Sequence, residues 1–173
     1  MAEEVVESYA RPLASLREDQ IQAIRERAKM VLEELIRKKG KDPKDYVFRD
    51  LLPKTDLGLT NEEWKHTYSA AYTEEDMVSK TLDDDRFIVI FGYTNTSPDP
   101  KTLYFKLLNG VNVEKVIHVQ HLYIYEVPEG YFDPVGWAEG EKITIKVYGN
   151  DTGDDYPVFI GLIAEPKGET VSA

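Results

Sequence analysis

The hydrophobic period of this chain changes once, near residue 83, and that change limits the fold more than any motif does. Before it, Ile21, Ile24, Ala28, Val31 and Leu35 recur at spacings of 3, 4, 3 and 4, which puts them on one stripe of a helix. After it, apolar residues come in short dense runs rich in β-branched and aromatic side chains, each bounded by Gly, Pro, Asn or Asp. No helical period separates those runs, so they pair as an antiparallel sandwich or barrel and not as βαβ units.

Several local signals support the helix. Ser15 and Glu18 have the spacing of a capping box. Leu32 and Ile36 widen the stripe, and Glu33–Arg37 and Glu34–Lys38 are favourably oriented i,i+4 pairs. Arg37, Lys38 and Lys39 suit the C-terminal dipole, and Gly40 is the expected stop. The pattern predicts a helix over 15–39. Residues 1–12 read as a flexible polar arm, and 41–59, with Pro43, Pro53 and Gly58, as a connector. Thr60 with Glu63, and Leu59 with Trp64, supply a second box and staple and predict a helix over roughly 61–70. Residues 73–80 read as a helical turn or a loop.

In the C-terminal half, 86–93, 102–108, 142–148 and 157–164 read as strands, and 111–126 as two strands or one bent strand. Asn109-Gly110 is a hairpin signal with both residues expected at positive φ. The stretch 128–134 reads as a long turn. Ile143, Ile145 and Val147 alternate with Thr144 and Lys146, so the apolar three should share a buried face. The expected fold class is α+β: an N-terminal helical arm and connector over 1–82, then an antiparallel β-sandwich over 83–173, jelly-roll-like or barrel-like.

Composition removes several chemistries. Cysteine is absent, which excludes disulfides, a thiol nucleophile and thiolate metal sites. The formal net charge is −11, and residues 83–173 carry 7 Lys/Arg against 15 Asp/Glu. Such a surface repels phosphate, so the β half is not expected to bind nucleic acid or an anionic membrane. No apolar run reaches the ~20 residues needed to span a bilayer. The acidic first residues lack the apolar core of a secretory signal, so a cytoplasmic or virion/particle location is expected. Scarce Gln and 31% charged residues fit a thermophilic source as readily as ordinary scatter.

Candidate sites are few. His118 and His121 would face opposite sides of a regular strand and share a metal poorly, and His66 falls in the second expected helix. Asp83, Asp84 and Asp85, and Asp151, Asp154 and Asp155, are loop carboxylates of the kind Ca²⁺ takes, although neither group has EF-hand spacing; edge protection is the simpler role. No other cofactor is implied. Tyr131, Phe132 and Trp137 share a Gly/Pro-rich stretch and could anchor a sugar or peptide from a loop. Asn95 and Asn150 match the glycosylation pattern by chance. No nucleophile elbow, zinc-protease motif or phosphate loop is present.

The stripe Ile21, Ile24, Ala28, Val31 and Leu35 has coiled-coil spacing over barely three heptads. It serves self-association, or packs on the chain's own β domain or on the second helix. An arm and helix before a sandwich is an architecture seen in viral coat and other assembly subunits, a fold-level analogy. The leading expectation is a non-enzymatic, homo-oligomeric structural or assembly subunit. The alternatives are a ligand-binding β-sandwich for sugar or peptide and, last, a carboxylate-based hydrolase.

Overall fold

The computed structural model describes residues 6–168. Along the chain run β1 (Val6–Tyr9), β2 (Arg11–Pro12), α1 (Glu18–Lys38), β3 (Tyr46–Asp50), α2 (Pro53–Leu57), β4 (His66–Tyr68), β5 (Glu74–Thr81), β6 (Phe87–Asn95), β7 (Thr102–Asn109), β8 (Asn112–His118), β9 (Gly130–Trp137), β10 (Lys142–Gly149), β11 (Gly153–Asp155) and β12 (Pro157–Pro166). Two five-stranded sheets form, in the orders β1-β8-β7-β10-β5 and β2-β9-β6-β12-β3, and β4 pairs with β11. Successive long strands alternate between the sheets, and only the neighbours β7 and β8 form a hairpin within one. This is a jelly-roll sandwich, the first of the two architectures expected.

Two cores result. Between the sheets lie Ile88, Ile90, Phe105, Leu107, Ile117, Ile143, Ile145 and Val147. The period-2 reading of β10 therefore holds: its Ile143, Ile145 and Val147 are buried against the other sheet. The second core lies between α1 and the outer face of the β2-β9-β6-β12-β3 sheet, where Phe87, Val89, Phe91, Leu162 and Ala164 meet the helix. That explains why β6 reads as an unbroken apolar run: both of its faces are covered.

The helix begins three residues later than expected. Ser15 ends a 3₁₀ turn and donates its hydroxyl to Pro12 O at 2.8 Å. The cap contact is made instead by Arg17, whose backbone N–H donates to the Gln20 side chain at 2.8 Å. The helix ends as expected, with Gly40 left-handed at φ +75°.

Three expectations are corrected between residues 41 and 82. The connector supplies β3, the edge strand of the β2-β9-β6-β12-β3 sheet. No helix forms over 61–70; the short helix is α2, with Pro53 in its first turn and left-handed Gly58 as its stop. A ten-residue helix with two apolar anchors has little intrinsic stability. Here Leu59 and Trp64 pack on the inter-sheet core from a loop, and His66–Tyr68 pairs with β11. The stretch 73–80 is strand β5, paired along its length with β10.

The hairpin is displaced by one residue. Asn109 pairs with Asn112, so the two-residue loop is Gly110-Val111, and only Gly110 has positive φ, at +62°. That matches a turn with Gly at its first central position. The long turn expected over 128–134 is mostly β9. Ile90 aligns with Val135 but Gly92 with Tyr131, so β9 carries extra residues opposite β6. Pro134 sits in that irregularity, where a proline is tolerated.

Candidate functional site: an aromatic row across the open sheet

The two sheets differ in what covers their outer faces. The β2-β9-β6-β12-β3 sheet lies under α1. On the other sheet, the residues alternating with the inter-sheet core turn outward: Tyr104 and Lys106 on β7, Lys146 and Tyr148 on β10, His118 on β8. Register then aligns them. Tyr148 pairs with Tyr104, Tyr104 with His118, and His118 with Tyr9 of β1.

The result is a line of rings crossing four strands. Tyr104 and Tyr148 stack at 4.6 Å between centroids; Tyr104 and His118 lie 5.6 Å apart, and His118 and Tyr9 5.1 Å. Tyr72, left-handed at φ +54°, extends the row beyond Tyr148 at 6.2 Å. At the other end Tyr9 also meets His121 edge-on at 5.5 Å. Cross-strand aromatic pairs of this kind contribute roughly 0.2–1 kcal/mol each to a sheet. The two end rings are largely in solvent, Tyr9 at 70% and Tyr72 at 63% exposure.

Charge flanks the row in matched pairs. Lys106 meets Glu74 at 2.8 Å and Lys146 meets Asp76 at 3.0 Å. Tyr104 donates its hydroxyl to Glu74 at 2.6 Å. Burial acts to raise the Glu74 carboxyl, but Lys106 and Tyr104 outweigh it and hold it below the usual carboxylate range. Burial and then Glu74 push the Tyr104 hydroxyl up, so it remains a donor at any ordinary pH. The face thus carries a line of rings bordered by paired charges, an aromatic centre with a polar rim of the kind found where proteins meet.

The residues singled out from sequence are placed otherwise. Tyr131, Phe132 and Trp137 are buried in β9, not displayed on a loop. Tyr131 packs under α1, Phe132 lies between the sheets, and Trp137 donates its indole N–H to Leu108 O at 2.9 Å. Their Gly/Pro-rich setting marks the strand irregularity described above, so they are withdrawn as ligand anchors.

The aspartates scatter. Asp83 and Asp84 are exposed, while Asp85 accepts from Lys41 Nζ at 2.6 Å and from the Tyr46 hydroxyl at 2.7 Å. Asp151 caps its own turn through Thr152 N–H, and Asp154 accepts from Thr67. Asp155 is fully buried; one carboxylate oxygen accepts from Asn95 Nδ2, Thr102 N and Thr102 Oγ1. Tyr68 and Tyr93 join the same network through Thr102 and Asn95. Among the described residues no three His, Asp or Glu side chains gather so as to hold a metal ion. The two clusters are therefore corrected as Ca²⁺ sites: ion pairs, turns and a buried polar hub use their oxygens separately. Asn95 is itself buried in that hub.

The helix stripe is also reassigned. Ile24 and Ala28, with Leu32 and Ile36, are buried against the chain's own sheet, and Ile21, Val31 and Leu35 pack beside them. Gly136 of β9 allows this closeness: a Cβ there would meet Leu35 Cδ1 at 2.7 Å and Val31 Cγ1 at 2.8 Å. The stripe is not a free self-association seam.

The sequence carried part of the aromatic row. The alternation in 142–148 already put Tyr148 on the face opposite Ile143, Ile145 and Val147. What it lacked was register, which alone brings Tyr148, Tyr104, His118 and Tyr9 into one line.

No protein-family model and no curated protein matches this chain. Among solved structures, one from the work "Bacillus endospore appendages form a novel family of disulfide-linked pili" superposes with a TM-score of 0.33 at 10% identity, over 70% of this chain and 88% of that one.

Proposed function

We propose that this protein is a non-enzymatic structural subunit that associates with copies of itself through the open face of the β1-β8-β7-β10-β5 sheet. The observation that carries the reading is the aromatic row on a face no other element of the described chain covers. Aromatic side chains are enriched where proteins bind one another, and the paired charges beside the row form the polar rim such surfaces carry. Jelly rolls occur in capsid and lectin domains alike, which is analogy and leaves the choice to the site. Sugar binding is less well supported, because Tyr104 and Tyr148 spend their faces on one another; a sugar needs an open ring face.

Light scattering on the full chain across a range of concentrations tests the proposal. The wild type is expected to form a discrete assembly. The double variant Tyr72→Ser/Tyr148→Ser is expected to shift to a smaller species with an unchanged far-UV circular dichroism spectrum. A wild type that stays monomeric at every concentration overturns the reading. An assembly indifferent to both substitutions removes this face as its interface.

A further inference from the structure

The segment Val6–Pro12 is joined to the sandwich differently from every other strand. β1 lies parallel to β8, while all other pairings among the described strands are antiparallel. The chain then steps across to the second sheet, where Arg11 and Pro12 pair with β9. It therefore straps one open side of the sandwich, covering the edge of β8 and part of the edge of β9.

The strap is held mainly by backbone bonds. Beyond the β1 and β2 ladders, Ala10 N–H donates to His118 O at 3.1 Å and Leu13 N–H to Glu129 O at 2.8 Å. Its side-chain anchors are sparse. Ala10 is buried beside Val119 and Leu122, Glu7 meets His118 Nε2 at 2.6 Å, and His121 Nε2 donates to Ala10 O at 2.6 Å. Tyr9 rests on His118 and His121 and is otherwise in solvent. The next element, α1, is anchored independently on the far face of the other sheet. No hairpin ties β1 to β8; the connection runs outward through the turn at Leu13–Ser15.

We infer that in the assembled protein the strand seated on β8 and β9 is the Val6–Pro12 segment of a neighbouring copy. This rests on the self-association proposed above and names its mode. The occupant is identified by the seat itself: the sequence that fits this edge is the one found on it, and a second copy carries the same sequence. Exchange keeps every contact, so the balance between the closed and exchanged forms turns on effective concentration and on the hinge at 13–17. An edge left open would present a row of unpaired backbone groups, which favours some strand being seated at all times. Exchange also joins the two surfaces, because the incoming strand brings the Tyr9 that completes the neighbour's aromatic row.

The absence of cysteine makes a clean test possible. A tagged full-length Arg11→Cys chain and an untagged full-length Asp133→Cys chain are refolded together and treated with a short bismaleimide. Arg11 of the strap lies 3.9 Å from Asp133 of β9, and neither belongs to the aromatic row. Exchange is therefore expected to give a covalent dimer of one tagged and one untagged chain, which neither chain forms alone. Light scattering is recorded on the same mixture. If the mixture assembles but cross-links only within an Arg11→Cys/Asp133→Cys double variant, exchange is overturned and self-association stands. If the mixture is monomeric, both fail. Should Arg11→Cys not fold, Glu7→Cys with Val116→Cys, register partners outside the row, reports the same pairing.

Discussion

At the scale of single residues, the clearest charge arrangement lies where α1 ends against the β5–β6 turn. Lys41 Nζ reaches Asp85 at 2.6 Å and Glu139 at 2.5 Å, and Asp85, itself left-handed at φ +63°, also accepts from Tyr46. The Lys41 ammonium holds both carboxyls below the usual carboxylate range. Burial and the Asp85 hydrogen bond push Tyr46 up to about 12. Both carboxyl groups lose their protons more readily folded than unfolded. Their stabilisation is therefore whole above the ordinary carboxyl pKa of about 4 and is lost as pH falls through the lower folded values. In Lys41→Met both carboxylates lose the ammonium they share, although Arg86 still acts on Asp85. The melting-temperature deficit of this variant is expected to be largest near pH 7 and to shrink below pH 4. Thermal melts from pH 7 to pH 2 check this, and a deficit that persists undiminished at pH 2 would show that the loss is one of packing.

At the scale of elements, the β7–β8 hairpin and the N-terminal strap are opposites. The hairpin is local and fixed by Gly110 at φ +62°, a conformation costing an ordinary residue roughly 1–2 kcal/mol. Gly110→Val is expected to lower stability by at least about 1 kcal/mol, because a β-branched residue resists that region more than most. Asn109→Ala is expected to cost less, since Asn109 has no positive φ and its amide only meets Glu141 at 2.5 Å near the surface. Urea denaturation of both variants checks the order, and equal losses would contradict the register. The strap has no such local device, and its position depends wholly on the β8 and β9 edges.

At the scale of the whole molecule, α1 is the third layer of the fold. Ile24, Ala28, Leu32 and Ile36 are buried on a sheet whose outer face is itself apolar. Burying each large aliphatic side chain is worth roughly 1.5–3 kcal/mol, comparable in sum to the whole stability of a domain. Removing residues 1–40 also strips the strap from β8. The truncated chain is therefore expected to lose its β structure or aggregate, and not to persist as a smaller, folded unit. Far-UV circular dichroism and light scattering decide between the two, and a folded, monodisperse fragment would show that the helix layer is dispensable.

The local pattern of the sequence was enough for the long helix, for the alternation in β10 and for an antiparallel sandwich, because each depends on a period read from neighbouring residues. It also excluded thiol chemistry outright. Where local signals competed with pairing, pairing won. Leu59 and Trp64 have helix-staple spacing but gain more by packing on the inter-sheet core, and Pro134 looks like a turn until β6 supplies the partner for its strand. Tyr131, Phe132 and Trp137 went inward for the same reason: a strand between two covered faces buries side chains on both. The alignment of the aromatic row, and the strap, belong to tertiary structure. Tyr9, Tyr104, His118 and Tyr148 are separated by up to 139 residues, and only the ladder of backbone hydrogen bonds, which is blind to sequence distance, sets them side by side.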